Sequence, residues 1–341
     1  MCCSQSSGAP AGPRPWPRPC AGGYWPEEGL LLSIRLGYAC INLSLQQEET
    51  GPRFKALTAK RLSTMEPRER RAHLYQVGRN NLKTVEAILR WNAEREIRLY
   101  RITSELIPLA THPVAAEWNW AEDLAPEFAA CAAAARETGA RLTMHPGQYT
   151  VLNAREPAVV AKAVEDLAYH ARVLDLMEAG PASGMVLHIG GAYGDKVAAA
   201  ARFVAHFGEL PDHVARRLWV ENDDTTWDTA EVLAIAMAVR RPMVLDIHHH
   251  RVLRDDDWFP WLERILPTWG PIRPKVHFSS PRDGARSRSH ADNIDAGEFT
   301  ACLERIGHLD LDVMLECKAK DEALLRLRAE LKESEKSAGL V

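Results

Sequence analysis

The feature that most constrains this chain is a rhythm. Short apolar runs alternate with amphipathic stretches of helical length, eight times over. The runs are SIRLGY (33–38), IRLYRI (97–102), RLTMH (141–145), GMVLHIG (184–190), RLWVEN (217–222), PMVLDIH (242–248), PKVHFS (274–279) and LDVMLE (311–316). Helical stretches lie near 65–93, 121–138, 156–178, 195–207, 228–239, 257–265, 295–306 and 319–335. Eight strand–helix pairs over roughly 300 residues predict an α/β fold, a (β/α)8 TIM barrel, with a doubly wound open sheet as the alternative. No G-x-G-x-x-G follows the first run, which removes the usual reason to read a dinucleotide-binding sheet.

Residues 1–32 break the rhythm. They include GAPAGPRPWPRPCAGG, rich in Pro and Gly with no hydrophobic period, and read as a disordered extension. The barrel domain is expected over 33–325, and 326–341 as the end of the last helix and a tail. With 341 residues, 46% of them hydrophobic, the chain can bury a large core. None of the seven cysteines forms a C-x-x-C pair, so the sequence implies a reducing compartment and no disulfide framework. No apolar run approaches ~20 residues, and the N-terminus lacks the apolar stretch of a signal peptide, so the protein reads as cytoplasmic with no membrane partner.

The chemistry stands at one end of the strands. The third run ends in His145; the fourth carries His188, the fifth Glu221, the sixth Asp246, the seventh His277 and the eighth Glu316. In a barrel these ends converge on one mouth, where active sites sit. A lone strand-end histidine is most often a core or loop residue, but six metal-capable side chains in phase invert that reading. Imidazoles and carboxylates without thiolates suit divalent zinc, manganese or related ions. His112, His249 and His290, on loops at the same end, bring the candidates to nine, too many for one ion. Two or three ions within ~4 Å of each other typically clamp the attacking and leaving oxygens of a phosphodiester hydrolysis. His248 and His250 flank His249 and read as outer neighbours or plain surface. His73, His170, His206, His213 and His308 read as ordinary surface residues. Lys275, two residues before His277, points into the same interior by strand alternation. It reads either as a carbamylated ligand touching the metals or as an ion-pair partner of Glu221 or Glu316.

The formal net charge is −4, yet residues 53–101 hold thirteen Lys/Arg against five Asp/Glu. The loop PRDGARSRSH (281–290) adds Arg282, Arg286 and Arg288 beside His290. Basic loops around a metal-lined mouth favour a phosphate-bearing substrate, although the helical part of 53–101 also reads as a solvated face. Gln148 and Tyr149, beside His145, form an amide–aromatic pair able to wedge into a base stack. Tyr38 and Asn42, at the end of the first run, are expected to line the same mouth.

At this point the residues resemble a known family. IRLGYACINL (34–43), LYRITSELIPLATHP (99–113), MHPGQY (144–149), LHIGGAYGDK (187–196), PTWGPIRPKVHFSS (267–280), SHAD (289–292) and VMLECKAKD (313–321) are similar to the UV damage endonucleases. MHPGQY, LHIGGAYG and KVHFSS together are specific to that family. The resemblance implies a metal-dependent DNA repair endonuclease acting on damaged double-stranded DNA. It would hydrolyse the phosphodiester 5′ to ultraviolet photoproducts and other distorting lesions and leave a 3′-hydroxyl. It implies the same nine ligands and lesion probing by Gln148 and Tyr149 helped by Tyr38 and Asn42; His277, Glu316 and Lys275 are read as the catalytic residues. It further implies manganese as the ion, with zinc or magnesium as substitutes. The chain reads as bacterial-type, nucleoid-associated on damage, and as a monomer, since a DNA-sized mouth needs no partner subunit and no obligate protein partner is evident. Ala39 and Ile41 depart from the family's first-strand pattern, which bears on the first loop and not on the metal site. The alternatives are a metal-dependent sugar isomerase or epimerase on the same barrel, which predicts two metals and fewer basic loops, and a non-catalytic metal-binding module.

Overall fold

In the computed structural model, which describes residues 33–337, each apolar run forms a strand of one parallel sheet closed in the order of the sequence. The strands are β1 (Ile34–Ala39), β2 (Leu99–Arg101), β3 (Arg141–Met144), β4 (Gly184–His188), β5 (Leu218–Glu221), β6 (Met243–Asp246), β7 (Lys275–Phe278) and β8 (Leu311–Leu315). The helices are α1 (Leu43–Gln47), α2 (Ala59–Leu62), α3 (Pro67–Glu94), α4 (Trp120–Asp123), α5 (Ala125–Thr138), α6 (Pro157–Leu176), α7 (Lys196–Gly208), α8 (Asp212–Ala215), α9 (Thr229–Val239), α10 (Ile247–Leu253), α11 (Phe259–Ile265), α12 (Ala296–Ile306) and α13 (Lys320–Ser337). The expected barrel is thus present and the open sheet is not: β1 pairs with both β2 and β8. The expected disordered extension over 1–32 and the last tail residues, 338–341, lie outside the described residues. Among the described residues no helix is long and apolar enough to cross a membrane.

Strand alternation sorts the side chains into two populations. Ile34, Leu36 and Tyr38 of β1 point outward and pack in the main core with Leu82, Val85 and Leu89 of α3. Arg35, Gly37 and Ala39 point inward. Gly37 is required where β1 passes β2, because a Cβ there would sit 2.4 Å from the Leu99 carbonyl oxygen.

At the bottom of the barrel Asp312 is fully buried. It accepts hydrogen bonds from Arg35 Nε and Nη2 at 2.6 and 2.8 Å, from Arg141 Nη1 at 2.7 Å and from Arg273 Nε at 2.6 Å. Burial alone would raise its carboxyl, but Arg35 and Arg141 hold it below the usual carboxylate value. The Arg141 guanidinium lies 5.1 Å from the Trp219 ring, so the middle of the barrel is plugged by aromatic and cationic side chains. The N-terminal end is thereby closed and the C-terminal end carries the opening.

The expected strand over 242–248 stops at Asp246 instead. Its side chain caps α10 by accepting the His249 backbone N–H at 2.8 Å. An aspartate with extended backbone, followed by a free run of N–H groups, starts a helix more readily than it continues a strand. His249 consequently sits on the first turn of a helix and not on a loop.

Candidate metal centre

The six strand-end residues converge as their phase requires. His188, Glu221 and Asp246 close their strands, His277 is the penultimate residue of β7, and His145 and Glu316 follow β3 and β8 by one residue. Their ligand atoms form three groups in which every atom lies within 4.8 Å of the others: His145, His188 and Glu221; Glu221, Asp246 and His249; Glu221, His277 and Glu316. Glu221 belongs to all three. One of its oxygens is 3.0 Å from His145 Nε2 and 3.5 Å from His188 Nε2, and the other touches His277 Nδ1. His277 Nδ1 is also 3.1 Å from Glu316 Oε1.

Glu221, Asp246 and His277 are fully buried and His145 and His188 partly exposed, so the charges are strongest around Glu221. Burial alone would raise the Glu221 carboxyl, but His277, His188 and His145 hold it well below the usual range. Glu316 is likewise pushed up by burial and held well down by Arg101 and His277. Burial lowers the His145 imidazole, a shift that the Glu221 carboxylate opposes. Burial also works against charge on His249, yet the Asp246 carboxylate prevails and raises the imidazole to about 9.

Several buried polar atoms here have no hydrogen-bond partner: Asp246 Oδ2, His188 Nδ1, His277 Nε2 and Lys275 Nζ. A native interior rarely tolerates so many orphans in one place. Nitrogen and carboxylate donors, crowded and short of partners, fit divalent cations. Backbone carbonyls orient the ring side of the set: His249 Nδ1 lies 2.9 Å from the Asn222 oxygen and His290 Nδ1 lies 2.6 Å from the Glu316 oxygen. A carbonyl only accepts, so each Nδ1 carries the proton and leaves Nε2 free to ligate.

The remaining expected residues are placed as follows. His290 is outside the three groups, but its ring stands 6.0 Å from that of His249. His112 is exposed at the rim, where its Nδ1 accepts the Val114 N–H at 3.0 Å. Lys275 is fully buried under the cluster, 5.3 Å from the Trp219 ring. It makes no ion pair with Glu221 or Glu316 among the described residues. Burial, with Arg101 and Arg141 nearby, lowers its ammonium to about 7. Gln148 is exposed, as is Tyr149 at 67%. Arg282, Arg286 and Arg288 are exposed and pair with Asp292, Asp255 and Asp224.

Two expectations are corrected. Tyr38 and Asn42 do not line the mouth: both are buried, Asn42 Nδ2 donates to the Tyr38 hydroxyl at 2.8 Å, and that hydroxyl donates to Asn92 Oδ1 at 2.8 Å. With Arg35 and Gly37 inward, the two-residue alternation of β1 puts Ala39 inward too and turns Tyr38 to α3. The surface reading also fails for His170, His248 and His250, which are all buried. His250 fastens α10 by accepting the Thr229 hydroxyl at 2.8 Å and donating to the Asp256 carbonyl at 3.0 Å.

Sequence reasoning missed Arg101. It ends β2 in the same phase as the ligand candidates and pairs with Glu316. Burial would lower its guanidinium, but Glu316 raises it above the ordinary arginine value. The strand-end position in LYR was the available signal; a cation among candidate metal ligands made it easy to pass over.

Comparison with known proteins agrees with this architecture. The family model described as UV-endonuclease UvdE matches residues 34–340. A protein called UV DNA damage endonuclease from Bacillus mycoides (strain KBAB4) is 38% identical over 304 residues, covering 87% of this chain and 94% of its own. The protein of the same name from Bacillus velezensis is 38% identical over 283 residues, 81% of this chain and 88% of its own. Among solved structures, SacUVDE superposes with a TM-score of 0.79 at 30% identity, over 89% of this chain and 99% of that one. Endonuclease IV from Thermus thermophilus, at 19% identity and a TM-score of 0.53 over 73% of this chain and 94% of that one, shares the fold.

Proposed function

The chain belongs to the UV-endonuclease UvdE family, and from that premise we propose that it is a metal-dependent DNA repair endonuclease nicking damaged duplex on the 5′ side of ultraviolet photoproducts and other distorting lesions, leaving a 3′-hydroxyl. The observation that carries the metal reading is the sharing of Glu221 by three ligand groups at one mouth. The residues that would hold the ions are Glu221, common to all three groups, with His145 and His188, with Asp246 and His249, and with His277 and Glu316. His290 would join from its loop, and His112 would swing in from the rim. Bound there, divalent ions, manganese in our reading, lower the pKa of water and neutralise the charge of an attacked phosphate.

The chain's own residues supply the rest. The Asp246 and Glu316 carboxylates are fixed by a helix cap and by Arg101, so the cradle is built before substrate arrives. Burial brings the Lys275 ammonium down to about 7, which favours the neutral amine that either carbamylation by dissolved carbon dioxide or an uncharged contact under the cluster requires. Exposed Tyr149 would wedge into the duplex beside the lesion, with Gln148 alongside. Damaged DNA is already poorly stacked, so opening it costs less than opening intact duplex. Arg282, Arg286 and Arg288 would exchange their aspartates for phosphates. Family membership leaves the sugar-isomerase alternative without support.

The test is strand cleavage of ultraviolet-irradiated and unirradiated supercoiled plasmid, with manganese or with chelator. Nicking confined to irradiated DNA and abolished by chelator is expected. Folded, metal-loaded protein that nicks neither DNA would overturn the proposal.

A further inference from the structure

The mouth is flanked by a cavity of about 640 Å³ whose wall includes Ser104, Ile107, His112, Tyr149, Asp166 and Tyr169. Two of these, Asp166 and Tyr169, come from a single turn of α6, which is not part of the metal centre. Asp166 is buried and accepts the Thr150 hydroxyl at 2.6 Å. Thr150 follows Gln148 and Tyr149 directly, is itself buried, and closes the turn by donating its backbone N–H to the Gly147 carbonyl at 2.9 Å. The Asp166 main-chain carbonyl accepts His170 Nδ1–H at 2.7 Å, and the same nitrogen stands 3.5 Å from the Asp166 carboxylate. Tyr169 reaches the other loop. Its hydroxyl donates to the Ser104 carbonyl at 3.0 Å and accepts the Ile107 N–H at 3.1 Å.

A buried charge-assisted hydrogen bond of this kind is stronger than a neutral one, and it ties an otherwise exposed turn to a rigid helix. An exposed aromatic that must displace stacked bases loses its effect if the turn beneath it yields instead. We propose that Thr150 and Asp166 are positioning residues: they anchor the Gln148–Tyr149 turn to α6, so that Tyr149 meets the DNA as a fixed wedge. The inference rests on the reading of Tyr149 as the wedge.

The experiment uses the full chain loaded with manganese and two duplexes, intact and bearing one thymine dimer. Thr150→Val, which keeps the shape and removes the hydroxyl, is expected to cut the preference for the dimer duplex about tenfold, the same loss expected of Tyr149→Ala. Thr150→Ser retains the preference. With the dimer placed opposite two abasic residues, where no opposing bases remain to be displaced, Thr150→Val is expected to cleave at the parental rate; a merely structural defect would slow this substrate as well. Thr150→Ala gives the same pattern and carries the test where Thr150→Val does not fold. Parental preference in Thr150→Val or Thr150→Ala, with Tyr149→Ala impaired, overturns the anchor and leaves the proposed function standing. Parental preference in Tyr149→Ala removes the wedge reading and the anchor with it.

Discussion

Glu221→Gln is the substitution on which the metal reading depends most. The carboxylate is fully buried, and its two oxygens serve different neighbours: one faces His145 and His188, the other His277. An amide keeps the shape and one acceptor, replaces the other oxygen by a donor, and removes the charge. Whichever way it turns, one side of the centre loses a ligand and both lose the shared charge. Loss of partners that only orient a ligand costs about 10–100-fold in metal affinity, so a shared ligand should cost at least about 100-fold, or about 2.7 kcal/mol. Asp246→Asn, which belongs to one group only, should cost less and should leave the other two groups able to bind. The assay is calorimetric titration of chelator-stripped protein with manganese at fixed pH, with circular dichroism confirming the fold. Parental stoichiometry and affinity in Glu221→Gln, or a larger total loss in Asp246→Asn, would refute the shared-ligand reasoning.

Three further outcomes follow from the same geometry. His249 is raised to about 9 in the folded protein from about 6.5 in the unfolded chain. The stability it contributes to stripped protein is therefore complete below about pH 6.5 and lost as pH rises through about 9, and melting curves of the parent and His249→Asn should converge at the alkaline end. Lys275 shifts the opposite way, to about 7, so its buried charge opposes folding at low pH and this opposition fades between about pH 7 and 10.4. Lys275→Met should raise the melting temperature of stripped protein at pH 6 more than at pH 10, and intact mass in bicarbonate buffer without an added carboxyl would count against carbamylation. Arg101→Gln leaves Glu316 without its cation and should destabilise stripped protein by about 3–5 kcal/mol, a loss that manganese reverses in thermal melts; an unchanged melting temperature would contradict the pairing.

The eight-fold alternation and the six strand-end side chains were legible in the sequence because both are local patterns. A strand's inward face repeats every two residues, and a parallel barrel delivers that face to one mouth. His145, His188, Glu221, Asp246, His277 and Glu316 could therefore be picked out without knowing which strand pairs with which. What local pattern does not carry is where a strand stops and how one strand is staggered against the next. The inward phase of β1 falls on Arg35, Gly37 and Ala39, so Tyr38 faces outward to Asn92 and is sealed by Asn42, where its place at the end of the apolar run alone suggested the mouth. A shorter β6 lets Asp246 cap α10, which buries His248 and His250 and lifts His249 onto a helix. Arg101, Thr150 and Asp166 acquire meaning only from partners 215 and 16 residues away in the chain. The sequence by itself determined the barrel and the set of metal-capable side chains at its mouth. The tertiary structure decided which neighbours support that chemistry, because closure of the sheet sets register between segments that share no local signal.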